Sequence, residues 1–135
     1  MKKVKFYKKD GSEDTARQER CTRLMQSLAP LRNTSVYCPT LDRNVLITNA
    51  SIEEIAYHAS RNTKSTAAAL DIVHQIKIAK HPHFDIPKQG NQRKRFHFDM
   101  TITMEGRHGK DKTRLTVGVR ASGSVLQYCL TVPPE

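Results

Sequence analysis

The chain has 135 residues, with 23 lysines and arginines against 13 aspartates and glutamates, a formal net charge of +10. That length suits one domain with its own hydrophobic core, and the charge points to an anionic partner, of which nucleic acid is the commonest. The three cysteines, Cys21, Cys38 and Cys129, stand far apart with no CxxC pair, which argues against a zinc ribbon or a disulfide framework and for a reducing compartment.

The opening MKKVKFYKKD is basic but has no apolar run behind it, so it does not read as a secretory signal. No stretch approaches the roughly 20 apolar residues of a membrane span, so a cytoplasmic location is expected. VKFYK suits a short strand or a basic arm. GSEDTARQERCTRLMQSLAPL reads as a helix: Ser12 is placed to cap it, Glu13 and Asp14 sit at its positive end, Leu24, Met25 and Leu28 form its apolar stripe, and Pro30 ends it. SVYC and NVLIT read as two strands around the turn-rich PTLDR.

A second helix starts where Ser51 and Glu54 have capping-box spacing, with Asn49 a competing cap, and Ile52, Ile55, Ala56 and Ala59 recur at helical spacing. SRNTK breaks the pattern. STAAALDIVHQIKIAKH resumes it as one helix with Ala69, Ile72, Val73, Ile76 and Ala79 on one face, stopped by Pro82. HFDIPKQGNQRK is read as a polar loop. The last third alternates with period two: RFHFDMTITM, then KTRLTVGVRA, then SVLQYCLTV, joined by EGRHGKD and by a tight turn at Ser122 and Gly123.

The expected fold is therefore α+β, with N-terminal helices on one face of an antiparallel β-meander and the other face an open cleft. Residues 1–34 form a basic segment and helix, and residues 35–135 the main fold, within one globular domain. The open face is expected to carry Arg95, His97, Asp99, Thr101 and Thr103 from the first strand of the meander. The second contributes Arg114, Thr116, Gly118 and Arg120, and the third Val125, Gln127, Cys129 and Thr131. This phase puts Tyr128 on the apolar side as a core residue, unless a bulge shifts the register.

Cleaving RNA without a metal needs a base for the 2′-hydroxyl proton, an acid for the leaving oxygen, and cations for the phosphate. Histidine suits the first two roles because it titrates near neutrality. Of six histidines, His58 at a helix end and His97 on the polar strand face are the catalytic candidates. Each has a plain structural reading beside that one, His58 as a helix-dipole cap and His97 as an ordinary strand histidine. Arg61, Lys64, Arg95 and Arg120 are the candidate phosphate ligands, with Thr101 and Gln127 as donors. GxSxG, HExxH, GxGxxG and a phosphate loop are all missing. No metal or cofactor is called for.

The run VLITNASIEEIAYHASRNTKSTAAALDIVHQI, followed by RFHFDMTITMEG, RLTVGVRASG and LQYCLTV, resembles the barnase–EndoU–colicin–RelE (BECR) nuclease-fold domains of phage and mobile-element polyvalent proteins, over about residues 35 to 132. The resemblance implies a metal-independent, toxin-like endoribonuclease acting through a 2′,3′-cyclic phosphate. YHASRNTK carries over His58 and Lys64, and LQYCL carries over Tyr128; His97 has no counterpart in that pattern and rests on geometry. RNA is the expected partner, with a host or immunity protein as a further one and no membrane. The alternative is a non-catalytic phage or mobile-element module that binds nucleic acid or a host protein.

Overall fold

The computed structural model describes residues 5–86 and 97–133. Helix α1 (Thr15–Leu28) buries Cys21, Leu24, Met25 and Leu28. Its cap is Asp14, whose carboxylate accepts from the Arg17 amide at 3.1 Å. Ser12, the expected cap, is drawn instead into a turn by Asp10, which accepts from both its amide and its hydroxyl. Among the described residues, the arm before the helix makes one isolated bridge, Tyr7 to Glu13. A 3₁₀ turn at Ala29–Leu31, with Pro30 in it, leads to the hairpin of β1 (Thr34–Cys38) and β2 (Arg43–Ile47).

Helix α2 (Asn49–Ala59) follows β2 directly. Thr48 caps it, its side chain accepting from the Ser51 amide at 3.1 Å. Glu54 is thus not the far half of a capping box; it lies wholly inside the protein. The single long helix expected next is two, α3 (Thr63–Leu70) and α4 (Ile72–Ile78), broken at Asp71. Strand β3 (Lys80–Asp85) replaces the start of the expected polar loop. It is exposed along its whole length, so it has no apolar alternation to reveal it, and an edge position tolerates Pro82. Strands β4 (Met100–His108), β5 (Asp111–Val119) and β6 (Val125–Thr131) complete the chain.

The protein is α+β, with one open six-stranded sheet in the order β1-β2-β6-β5-β4-β3. All pairs are antiparallel except β2 and β6, which meet in parallel at Val45–Val125 and Leu46–Leu126. Ile102, Met104, Leu115, Val117 and Leu130 join Ile52, Ile55, Ile72 and Ile76 of the helices in one core, which also takes in the buried face of α1. Fully burying a side chain such as Met104 or Leu115 contributes about 1.5–3 kcal/mol, and this shared core holds helices and sheet together. Among the described residues no helix is long and apolar enough to cross a membrane.

Two departures from simple alternation decide what the other face carries. In β6, Thr116 pairs with Cys129 but Val117 pairs with Gln127, so Tyr128 is an extra residue in a bulge. Before the bulge, Val125 and Gln127 share the helix-covered side with Val117, and Leu126 takes the other. After it, Leu130 is in the core while Cys129 and Thr131 lie on the open face. A one-residue slip moves every side chain across the sheet, and here it puts Val125 and Gln127 on the side opposite to that expected. In β4 the regular strand begins only at Met100. Phe98 leaves the expected core row and forms a second small cluster with Leu126, Ala50 and Tyr128. Its ring lies where a Cβ on Gly118 would project, so only glycine fits there.

Candidate active site

The end of α2 is fixed from α1. Arg17 donates to the Tyr57 carbonyl at 2.9 Å and to the Ser60 hydroxyl at 3.3 Å, and Arg20 donates to the Ser60 carbonyl at 2.8 Å. These bonds satisfy carbonyls that a helix C-terminus leaves open. The Arg17 guanidinium also lies 3.9 Å from the Phe6 ring centre, and Phe6 packs on Tyr57. Beyond Ser60, Asn62 caps α3 by accepting from the Ser65 amide at 2.8 Å, and Thr66 donates back to the Ala59 carbonyl at 2.9 Å. The tight α2–α3 connection, with Arg61 and Lys64 on its outside, is therefore held on both sides.

One turn before that connection, Glu54 and His58 face each other at helical i,i+4 spacing. The carboxylate Oε2 lies 3.3 Å from the imidazole Nε2; Glu54 is fully buried, and the His58 side chain keeps 22% of its exposure. Both facing atoms are sealed from solvent. Nε2 is therefore turned inward, toward Glu54. A buried carboxylate beside one ring nitrogen favours this orientation of the ring. The His58 ring stands 6.0 Å from Tyr128, and Tyr128 stacks edge-on with Phe98 at 5.5 Å. The β6 bulge thus brings Tyr128 alongside the histidine.

At the α2–α3 connection opens a cleft of about 710 Å³, lined by Arg61, Asn62, Thr63, Lys64, Asp111, Arg114, Thr131, Val132 and Pro133; Glu54, His58 and Tyr128 are not in its lining. Lys64 pairs with Asp111 at 3.3 Å. Cys129 lies between the two halves of the site. Burial pushes its thiol up, contact with the Thr116 hydroxyl pulls it down, the Glu54 charge raises it, and Arg61 and Arg114 lower it. Cys129 therefore stays a thiol near neutral pH, not a thiolate nucleophile. Iodoacetamide at pH 8 is expected to alkylate it far more slowly in native protein than in urea-unfolded protein, read by peptide mass; equal rates would contradict this.

The structure gathers His58, Arg61, Lys64 and Tyr128 around the α2–α3 connection and β6. It places the other expected residues elsewhere. His97 is exposed and lies ahead of β4, beyond Phe98, so it does not project from a regular strand face. Thr101 pairs with Gly118 toward the far end of β5, and its hydroxyl reaches the Asp85 carbonyl at 3.4 Å. Arg120 sits in the β5–β6 turn, where its amide bonds the Ser124 carbonyl. Gln127 is wholly buried and donates to the Cys129 carbonyl at 3.0 Å, so it is a structural tie and not a substrate donor. Arg95 lies outside the described residues.

Two residues were not singled out from the sequence. Glu54 has capping-box spacing to Ser51 and i,i+4 spacing to His58, and the structure uses only the second. Arg114 was placed on the open face without a role. Among the described residues no three histidine, cysteine or acidic side chains gather as a metal site. Comparison with protein-family models, with curated proteins and with solved structures returned no match.

Proposed function

We propose that the protein is an endoribonuclease that uses the Glu54–His58 pair as its acid–base centre. The observation that carries this reading is a buried carboxylate–histidine pair at the end of α2, followed three residues on by a connection whose Arg61 and Lys64 line a cleft with Arg114. His58 Nδ1 takes the 2′-hydroxyl proton. The 2′-oxygen attacks phosphorus, and the bond to the 5′-oxygen breaks, leaving a 2′,3′-cyclic phosphate. Tyr128 gives its phenolic proton to the leaving oxygen; the His58 imidazolium then releases its proton to water and the tyrosinate takes one up from water, which restores both groups. Arg61 and Arg114 hold the phosphate as negative charge accumulates. Tyr128, through its ring contact with His58, stands in for His97 as the second catalytic group.

The test is incubation of purified protein with a mixture of RNAs, tRNA included, in EDTA. Wild type is expected to cut, Tyr128→Phe to slow cleavage by about 10²-fold, and His97→Ala to change it little. Intact RNA after prolonged incubation with folded protein would refute the proposal.

A further inference from the structure

We propose that the β4–β5 hairpin carries a cationic track for a single RNA strand, which extends the substrate several phosphates beyond the cleaved bond. The inference rests on the ribonuclease reading and names its substrate class: single-stranded polynucleotide, not mononucleotides or very short oligonucleotides.

The register sets the track. Arg107 stands opposite Lys112, Glu105 opposite Arg114, and Gly106 opposite Thr113. Thr113 is buried and donates to Gln75 Oε1 at 2.7 Å, while a Cβ on Gly106 would lie 2.6 Å from the Thr113 hydroxyl. That pair therefore points toward α4. The flanking pairs, with opposite pleat, point to the open face. Arg107, Lys112 and Arg114 are all exposed there. Arg114 already lines the cleft, and Lys112 and Arg107 continue it toward the hairpin tip. Alternate residues on a strand recur at about 7 Å, the scale on which phosphates repeat along an extended single strand.

Two carboxylates lie near the row: Glu105, opposite Arg114 and on its face, and Asp111, which shares the pleat of Thr113 and is paired with Lys64. With Arg61 and Lys64 at its head, the track still holds more cations than carboxylates. It is also rigid. Gln75 Nε2 donates to the Arg107 carbonyl at 3.0 Å, fastening the strand to α4 from behind. A narrow straight row on a fixed strand fits one polyanionic chain better than a flat membrane, which would favour a broad patch.

The experiment measures binding of a non-cleavable 2′-O-methyl 12-mer RNA and of a matching 4-mer across a salt series, for wild type and Arg107→Gln/Lys112→Gln. Both positions are exposed, and circular dichroism checks that the variant folds. Wild type is expected to bind the 12-mer more tightly. The variant's plot of log affinity against log salt is expected to be shallower by about 1.4, two phosphates at roughly 0.7 each for a single strand. Equal slopes in wild type and variant, equal affinity for the two lengths, or retention on anionic vesicles without 12-mer binding would each overturn the track. Cleavage of RNA by wild type with unchanged slopes would remove the track and leave the nuclease. A reduced slope without cleavage would keep the track and remove the nuclease.

Discussion

Replacing His58 by glutamine is expected to lower RNA cleavage by about 10²–10⁴-fold, the usual contribution of a positioned acid–base group, or about 3–5.5 kcal/mol of transition-state stabilisation. Glutamine is the informative replacement because its amide can still donate to the buried Glu54 carboxylate. Alanine would leave that carboxylate without the partner 3.3 Å away, and removing one member of a buried pair destabilises the fold as well as the chemistry. Glu54→Gln keeps the shape of the side chain but removes its charge. It is expected to cost about 10²-fold or more in rate, since the orientation of the ring depends on that charge. Thermal melting of both variants separates the two effects. Full activity in a folded Glu54→Gln protein would reduce the pair to a helix-stabilising contact.

Gly118→Val is expected to be the most damaging single change on the open face of the sheet. A Cβ at this position overlaps the Phe98 ring, and branching adds to the overlap. Phe98 is itself buried against Leu126 and Tyr128, so it has little room to yield. Overpacking of this kind costs about 1–3 kcal/mol or more, read as a lower urea midpoint at unchanged slope. Cleavage is expected to fall as well, because the displaced Phe98 carries Tyr128 away from His58. Phe98→Ala in the same chain should recover part of the lost stability by making room. If the double variant is no more stable than Gly118→Val alone, the close approach is not what requires glycine.

The elements with one clear periodicity could be read directly from residues. Ile52, Ile55, Ala56 and Ala59 mark α2, and the alternation in β5 is true to its register. The site is harder to read, because it depends on breaks in periodicity. In Val125-Leu126-Gln127-Tyr128-Cys129-Leu130 nearly every residue is apolar, so either phase gives a plausible core face, and nothing local marks Tyr128 as the bulge. Gln127 looks outward-facing by composition, yet its amide is spent on the Cys129 carbonyl. Phe98 continues the alternation of β4 on paper. The signal that it crosses the sheet is Gly118 on the neighbouring strand, and that becomes meaningful only once the register is known. Glu54 satisfied two patterns at once, the capping box with Ser51 and the helical pair with His58. Thr48, one residue ahead of the helix, took the cap and settled the matter.

The cleft was foreseeable in its charge but not in its position. Arg61 and Lys64 follow His58 closely in sequence, and the connection that carries them is fastened by Arg17, Arg20 and Thr66. Arg114 reaches the same cleft from a strand more than forty residues on, and only the order of β5 beside β6 brings it there. The proposed chemistry and the proposed track therefore lie apart, the first at His58 and Tyr128 and the second at the β4–β5 hairpin. Thr101 and Arg120, expected to join the former, lie apart from the cleft.

The chemistry assigned to His58 leaves a mark on the product that no positioning or binding role would leave. The decisive measurement is therefore the end group of RNA fragments produced in EDTA by wild type and by His58→Gln. The account predicts 2′,3′-cyclic phosphate and 5′-hydroxyl ends from wild type and intact RNA from the variant. Fragments ending in 3′-hydroxyl and 5′-phosphate, or equal cleavage by the two proteins, would contradict it.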